Sequence, residues 1–324
     1  MTKTNIKKNL LHAVKITLAA IVAIIIAELL HLQFAISAGI VAILSVAFTK
    51  RETIKTAVDR FLAFTVALCI AAICFYLIGF NSYGFFVYLI IFIPICQFMG
   101  WNSAMAMDSV LISHFISINN MEIPALTNEI LLFVIGVGAG ITANLFMKRD
   151  VDYMRKVTSE TDDLIKQALH RMSERIMNPN LPHYDGSCFI TLENTIEEAS
   201  ALARLNYMNK LSSEDKSDIE YIAMRERQSD TLREMYEHLS QIETVPVTAE
   251  LLSSFFEKVA KDYSMDNTVE GLLSDFYELD EKMKEMPLPV KRKEFEDRAR
   301  LFTVMRELEK FLNIKKEYMQ NKTK

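Results

Sequence analysis

From Phe61 to Met147 the chain runs for 87 residues without a lysine or an arginine. Basic clusters bracket the run, with Lys50, Arg51, Lys55 and Arg60 before it and Lys148 and Arg149 after it. A water-soluble domain of this length scatters cations over its surface. Here they are excluded from long apolar stretches and gathered at the joints between them. That is the pattern of a chain that crosses a membrane several times.

The overall net charge of −5 conceals a split. Residues 1–149 hold 10 Lys+Arg and 6 Asp+Glu, whereas 150–324 hold the other 26 and 35, so a half at +4 precedes a half at −9. The expected fold is all-α: a polytopic helical membrane domain of six spans over 1–149, then a cytoplasmic helical bundle over 150–324. The second part is long enough to bury its own core. Lys3, Lys7 and Lys8 precede an apolar stretch, as in a signal peptide, but Leu10–Leu30 is long and no small-x-small site follows. It reads as a retained first span.

Crossing the hydrocarbon core takes about 17–25 apolar residues. The candidates are Leu10–Leu30, Gln33–Thr49, Phe61–Gly79, Phe85–Met99, Ser103–Ile118 and Ile130–Met147. Gly100-Trp101-Asn102 joins the fourth and fifth as a tight hairpin, and Trp101 and Tyr83 fall at boundaries where amphipathic rings are favoured. The N-terminus, the 50–60 loop and the exit at 148–149 are basic, while the alternate connections near His31, Ser82 and Asn119–Asn128 contain no cation. With cations retained inside, both termini are cytoplasmic and the protein is a multi-pass component of the plasma membrane. Helix contacts in lipid rely on small residues, and two sets stand out: Ala19, Ala23 and Ala27 in the first span, and Gly136 and Gly140, continued by Asn144, in the sixth.

Beyond Arg149 the period turns amphipathic, with Met154, Ile165, Leu169, Met172 and Ile176 at helical steps. Asn178–Gly186 is the clearest loop, and breaks at Ser212-Ser213, Pro246, Asp266-Asn267 and Pro287-Leu-Pro289 separate further helices. Cys69, Cys74, Cys96 and Cys188 form no CxxC or zinc-like spacing, so they read as buried apolar thiols. No P-loop, G-x-S-x-G or H-E-x-x-H appears, so neither an enzyme nor an internal ATPase is indicated. No cofactor, metal or nucleic acid is expected.

Ionisable groups at membrane depth are costly and mark candidate function. Asp108 lies a few residues into the fifth span, followed by Ser109, Ser113 and Ser117 with His114 among them. Burial disfavours a charged carboxyl and imidazole titrates near neutrality, so Asp108 and His114 are proton-coupling candidates lining a polar path. The plainer alternatives are an interfacial acid bonded to backbone or Asn102, and a packing histidine. Glu28, near the outer end of the first span, is a third proton-coupling candidate or a snorkelling side chain. Lys50, Arg51, Lys55 and Arg60 form a cationic collar that either captures an anion or only sets orientation.

The segment Ile36-Ser-Ala-Gly-Ile-Val-Ala-Ile-Leu-Ser-Val, the basic Lys50-Arg51-Glu52-Thr53, Arg60 opening the third span and the charged tail together resemble the aromatic acid exporter family. Ala63, Phe64 and Ala67 depart from the small residues that often follow the arginine there. The resemblance implies gradient-driven efflux of small aromatic carboxylates. Larger relatives contain two such membrane halves, so this chain is similar to one half and a homodimer or higher homo-oligomer is implied. The competing expectation is a membrane-anchored scaffold or sensor whose helical domain binds a partner or ligand.

Overall fold

The computed structural model describes residues 3–46, 49–145, 151–210 and 215–322, with side chains from Leu10 and then His12 onward. The side chains of Lys3, Lys7 and Lys8, and all of Met147, Lys148, Arg149 and the Ser212-Ser213 break, lie outside what is described. Among the described residues every regular element is an α-helix, and the chain divides into two compact units. One is Met1–Arg149 with Met208–Ser213; the other is Asp150–Tyr207 with Glu214–Lys324.

The first unit holds α1 (Lys3–Leu29), α2 (Ala35–Ser45), α3 (Lys50–Ile78), α4 (Ser82–Met99), α5 (Met105–Ile118) and α6 (Ile123–Leu145). Four of these, α1, α3, α4 and α6, are long and apolar enough to cross a membrane. The other two fall short of the spans expected at Gln33–Thr49 and Ser103–Ile118. At 11 and 14 residues they reach about 16 and 21 Å, against a hydrocarbon core of about 30 Å. Backbone signals account for the shortening. Phe34 (φ 58°) opens α2 from the left-handed region and Val46 leaves it extended, while Asn119 (φ 49°) stops α5. Conversely, α3 starts well before the apolar run. Thr49 accepts from the Glu52 backbone N–H as its N-cap, so the polar residues of the 50–60 loop are themselves helical.

Close approach in this unit depends on missing side chains. Ala19, Ala23 and Ala27 are buried on one face of α1. A Cβ built on Gly136 would lie 2.5 Å from Val41, and one on Gly140 would lie 2.6 Å from the Ser45 Cβ. The GxxxG of α6 is thus the surface on which α2 lies. Ala63, Ala67 and Ala71 are buried along α3, and Phe64 stacks on Phe133 of α6 with centroids 4.7 Å apart. Trp101, between the end of α4 and the start of α5, is buried in the α3–α4–α5 cluster, whereas Tyr83 at the start of α4 is exposed.

The second unit comprises α7 (Val151–Met177), α8 (Ser187–Met208), α9 (Ser217–Ser240), α10 (Ala249–Asp262), α11 (Glu270–Lys284) and α12 (Arg292–Lys322). Met208, the last residue of α8, belongs to the first unit. One apolar core built from all six helices runs through the bundle, including Leu169, Leu232, Phe256, Phe276 and Phe311. The core also contains charge. Arg225 is fully buried and pairs with Asp162 at 2.7 Å, and it donates to the hydroxyls of Tyr221 and Tyr263. Of the four cysteines Cys74 and Cys96 are buried, but Cys69 and Cys188 are exposed, so the reading of all four as buried thiols fails for two.

Candidate functional site: two buried polar clusters of the membrane unit

The short α2 ends inside a helical bundle, where its last carbonyls need donors. Arg60 supplies them from α3. Its guanidinium donates to the Leu44 carbonyl (2.5 Å) and the Ser45 hydroxyl (2.8 Å), placing a cation at the negative end of the α2 dipole. Gly140 is what lets α6 pass that end so closely. Beside it, Asn144 donates to the Thr53 hydroxyl, which donates to the Thr49 carbonyl at 2.8 Å.

Asp108 occupies the first turn of α5, the positive end of that helix dipole. It is fully buried, and neither carboxyl oxygen has a hydrogen-bond partner. The nearby charge that acts on it is Arg60, although the pair does not meet at salt-bridge distance among the described residues. The Arg60 Nε is likewise buried without a partner. A lone buried carboxyl is among the most costly groups a fold retains. The guanidinium whose charge acts on it still has an unused N–H.

A second cluster lies further along α5. Six residues separate Asp108 from His114, a rise of about 9 Å, with buried Leu111 and Ile112 between them. The His114 Nδ1 meets a Glu129 carboxyl oxygen of α6 at 2.8 Å, and its Nε2 meets the Ser37 hydroxyl of α2 at 3.1 Å. The imidazole stacks on Phe34, centroids 4.1 Å apart. Asn128 donates to the other Glu129 oxygen (3.0 Å) and to the Gln33 carbonyl (3.1 Å), tying the start of α6 to the turn before α2.

The expected residues therefore separate. Asp108 and Arg60 come together, and His114 belongs to the other cluster. Glu28 is exposed on α1 and joins neither. The collar does not gather as one patch: Arg60 is buried, Lys55 is exposed, and Arg51 donates through Nε to the Lys210 carbonyl at 2.7 Å. The Lys50 backbone N–H bonds the Asn209 side chain at 3.1 Å. The hydroxyl stripe divides: Ser109 is half-buried beside the buried Tyr88, Ser113 bonds its own helix at Val110, and Ser117 is exposed. Glu129, Ser37 and Ser45 escaped the sequence reading. A usable signal existed for Glu129, which shares the three-and-four-residue stripe of Phe133, Gly136, Gly140 and Asn144, all buried in α6.

Comparison with known proteins agrees with the helical pattern. Residues 8–147 match the family model described as aromatic acid exporter family member 1, and residues 152–316 match the aromatic acid exporter C-terminal domain. The uncharacterized protein YqjA of Bacillus subtilis (strain 168) is 27% identical over 306 residues, which is 93% of this chain and 94% of that protein. A crystal structure of a membrane protein from Clostridium difficile 630 aligns with TM-score 0.46 and 29% identity, covering 52% of this chain and 99% of that one. With family models matching both halves, the chain belongs to the aromatic acid exporter family of membrane proteins.

Proposed function

We infer that the protein exports small aromatic carboxylates across the plasma membrane, driven by the proton gradient. In this reading both termini face the cytoplasm, as the distribution of cations favours. Six helical segments enter the bilayer, with α2 and α5 as half-length pieces whose ends meet at functional groups, an arrangement common in secondary transporters. The observation that carries the reading is the buried, unpartnered Asp108 beside Arg60, where α2 ends and α5 begins. When Asp108 holds a proton, Arg60 is the unmatched charge and a carboxylate solute is its natural counter-ion. When Asp108 is ionised it competes for the same guanidinium. Proton occupancy of Asp108 and anion occupancy at Arg60 are thus thermodynamically linked, which is the minimum needed to couple their fluxes. A homodimer would supply the second membrane half found in larger relatives.

The test is efflux of an aromatic carboxylate from loaded vesicles under an imposed pH gradient. Asp108→Asn keeps the shape but removes the titration, and gradient-driven efflux should fall to background while membrane insertion stays normal. Unimpaired coupled efflux in this variant would end the proposed role.

A second reading, a sensor whose helical domain binds a ligand or partner, draws support from the size of that domain. A pull-down with the full-length protein that recovered a stoichiometric partner, with no change in solute sensitivity of whole cells, would favour it.

A further inference from the structure

We propose that the groove between α11 and α12 of the second unit binds a small amphipathic carboxylate, a flat aromatic ring system carrying one negative charge. This goes beyond the transport reading and stands on the second unit alone. The groove encloses about 310 Å³, within the range of about 300–1,000 Å³ typical of small-molecule sites. Its apolar walls are Met283 at the end of α11, Leu288 in the connecting turn, and Phe295, Phe302 and Met305 along α12; Asp280 and Lys284 of α11 also line it and pair with each other at 3.0 Å. Leu288 is 86% exposed and Phe295 61%, so large apolar side chains stand at its mouth with nothing among the described residues covering them. Phe302 is half exposed, and the Arg306 guanidinium sits 4.8 Å from its ring centre, backing it as a wall.

The charge requirement comes from Arg298. Its guanidinium donates to the Pro287 and Met283 carbonyls, the latter at 3.3 Å, which pins the turn to α12. Both partners are neutral. Among the described residues no carboxylate lies within salt-bridge distance of Arg298, whereas Arg306 pairs with Asp280 and Glu309, and Lys284 with Asp280 and Glu281. Arg298 therefore brings a positive charge without a carboxylate partner to the lining of an apolar slot. The fitting occupant lays a ring against Phe302 and the methionines and offers its carboxylate to that charge.

The experiment uses the full-length protein in nanodiscs without a pH gradient, with ¹³C-methyl methionine and 2-naphthoate as the probe. The expected result is saturable binding that shifts the Met283 and Met305 methyls, with 2-naphthamide at least tenfold weaker. Phe295→Glu puts a negative charge at the mouth without touching the bonds that hold the turn, and should weaken naphthoate at least tenfold. Phe302→Asp should do the same, and thermal melting of both variants confirms that they fold. Asp108→Asn should leave binding unchanged, so failure of the efflux test and failure of the binding test are distinguishable. Equal binding of acid and amide, no saturable shift at either methionine, or full affinity in both phenylalanine variants would overturn the site.

Discussion

At the scale of single residues, the second unit holds a lysine whose burial has a measurable consequence. Lys315 on α12 is fully buried, donates through Nζ to the Ser264 carbonyl, and lies 4.2 Å from the centre of the Tyr263 ring. Burial first, and then the positive charge of Arg225, push its ammonium down to about 7. In the unfolded chain a lysine keeps its proton to about 10.4. Between these values the unfolded state binds the extra proton, so stability rises with pH through the window and is lost as pH falls towards 7. The slope contributed by this one group is at most about 1.4 kcal/mol per pH unit. Lys315→Met should remove that slope. The variant should melt higher than the parent at pH 7.5, since the cost of stripping a proton from lysine on burial disappears and outweighs the roughly 1 kcal/mol lost with the Ser264 bond. The difference should shrink steadily towards pH 10. Parallel melting curves for the two proteins across that range would show that Lys315 does not titrate there. Nothing at sequence level marks this lysine, because its stretch Asn313-Ile-Lys-Lys-Glu reads like any charged helix face. Only the packing of α12 against α9 and against Tyr263 and Ser264, just past the end of α10, hides it.

At the scale of elements, the half-length α2 organises the membrane unit, and the glycines of α6 permit it. Gly140 passes the last turn of α2 so closely that a built Cβ would lie 3.0 Å from the Ser45 backbone carbon as well as touching its Cβ. Gly138, two residues away, has open space around the same position. The pair makes a controlled comparison. Gly140→Leu should force α2 and α6 apart at a cost of about 1–3 kcal/mol, and it should disturb the Ser45 and Leu44 acceptors that hold Arg60. Gly138→Ala should be neutral or stabilising by up to about 1 kcal/mol, since alanine is the better helix former. Thermal aggregation of the detergent-solubilised variants measures both, and similar behaviour of the two would refute the packing account. The small-residue face of α6 was legible because spacing alone carries it. The length of α2 was not. Its boundaries come from a left-handed Phe34 and an extended Val46, and neither residue type announces such a conformation. The second polar cluster was hidden for a related reason. The start of α6 looks like loop because Asn119, Asn120 and Glu122 before it and Thr127 and Asn128 within it are polar, so Glu129 reads as lying outside a span when it lies within the helix. Asp108, by contrast, stood out at once as an acid among apolar neighbours, although that it meets Arg60 depends on where α2 ends.

At the scale of the whole molecule, the segregation of charge makes a claim about sidedness that one native thiol can check. Cys188 opens α8 and is exposed, while Cys69 is exposed on α3 within a long apolar helix, where the surroundings in a cell are lipid rather than water. A membrane-impermeant maleimide needs a thiol in water on its own side of the bilayer. If the basic ends of the first unit are retained in the cytoplasm, the second unit hangs on that side and carries Cys188 with it. Intact cells should then leave Cys188 unmodified, and inverted membrane vesicles should give a single labelled site that disappears in Cys188→Ser. Cys69 should resist the reagent in both preparations and react only after solubilisation in denaturant. The outcome bears directly on the coupling scheme. Asp108 begins α5 at the same end of the unit as the termination of α2, so reversed labelling would place the proton acceptor at the outer face. The coupling scheme would then have to load its proton at Asp108 from outside, and the cation-free run from Phe61 to Met147 would orient the protein by some rule other than retention of positive charge.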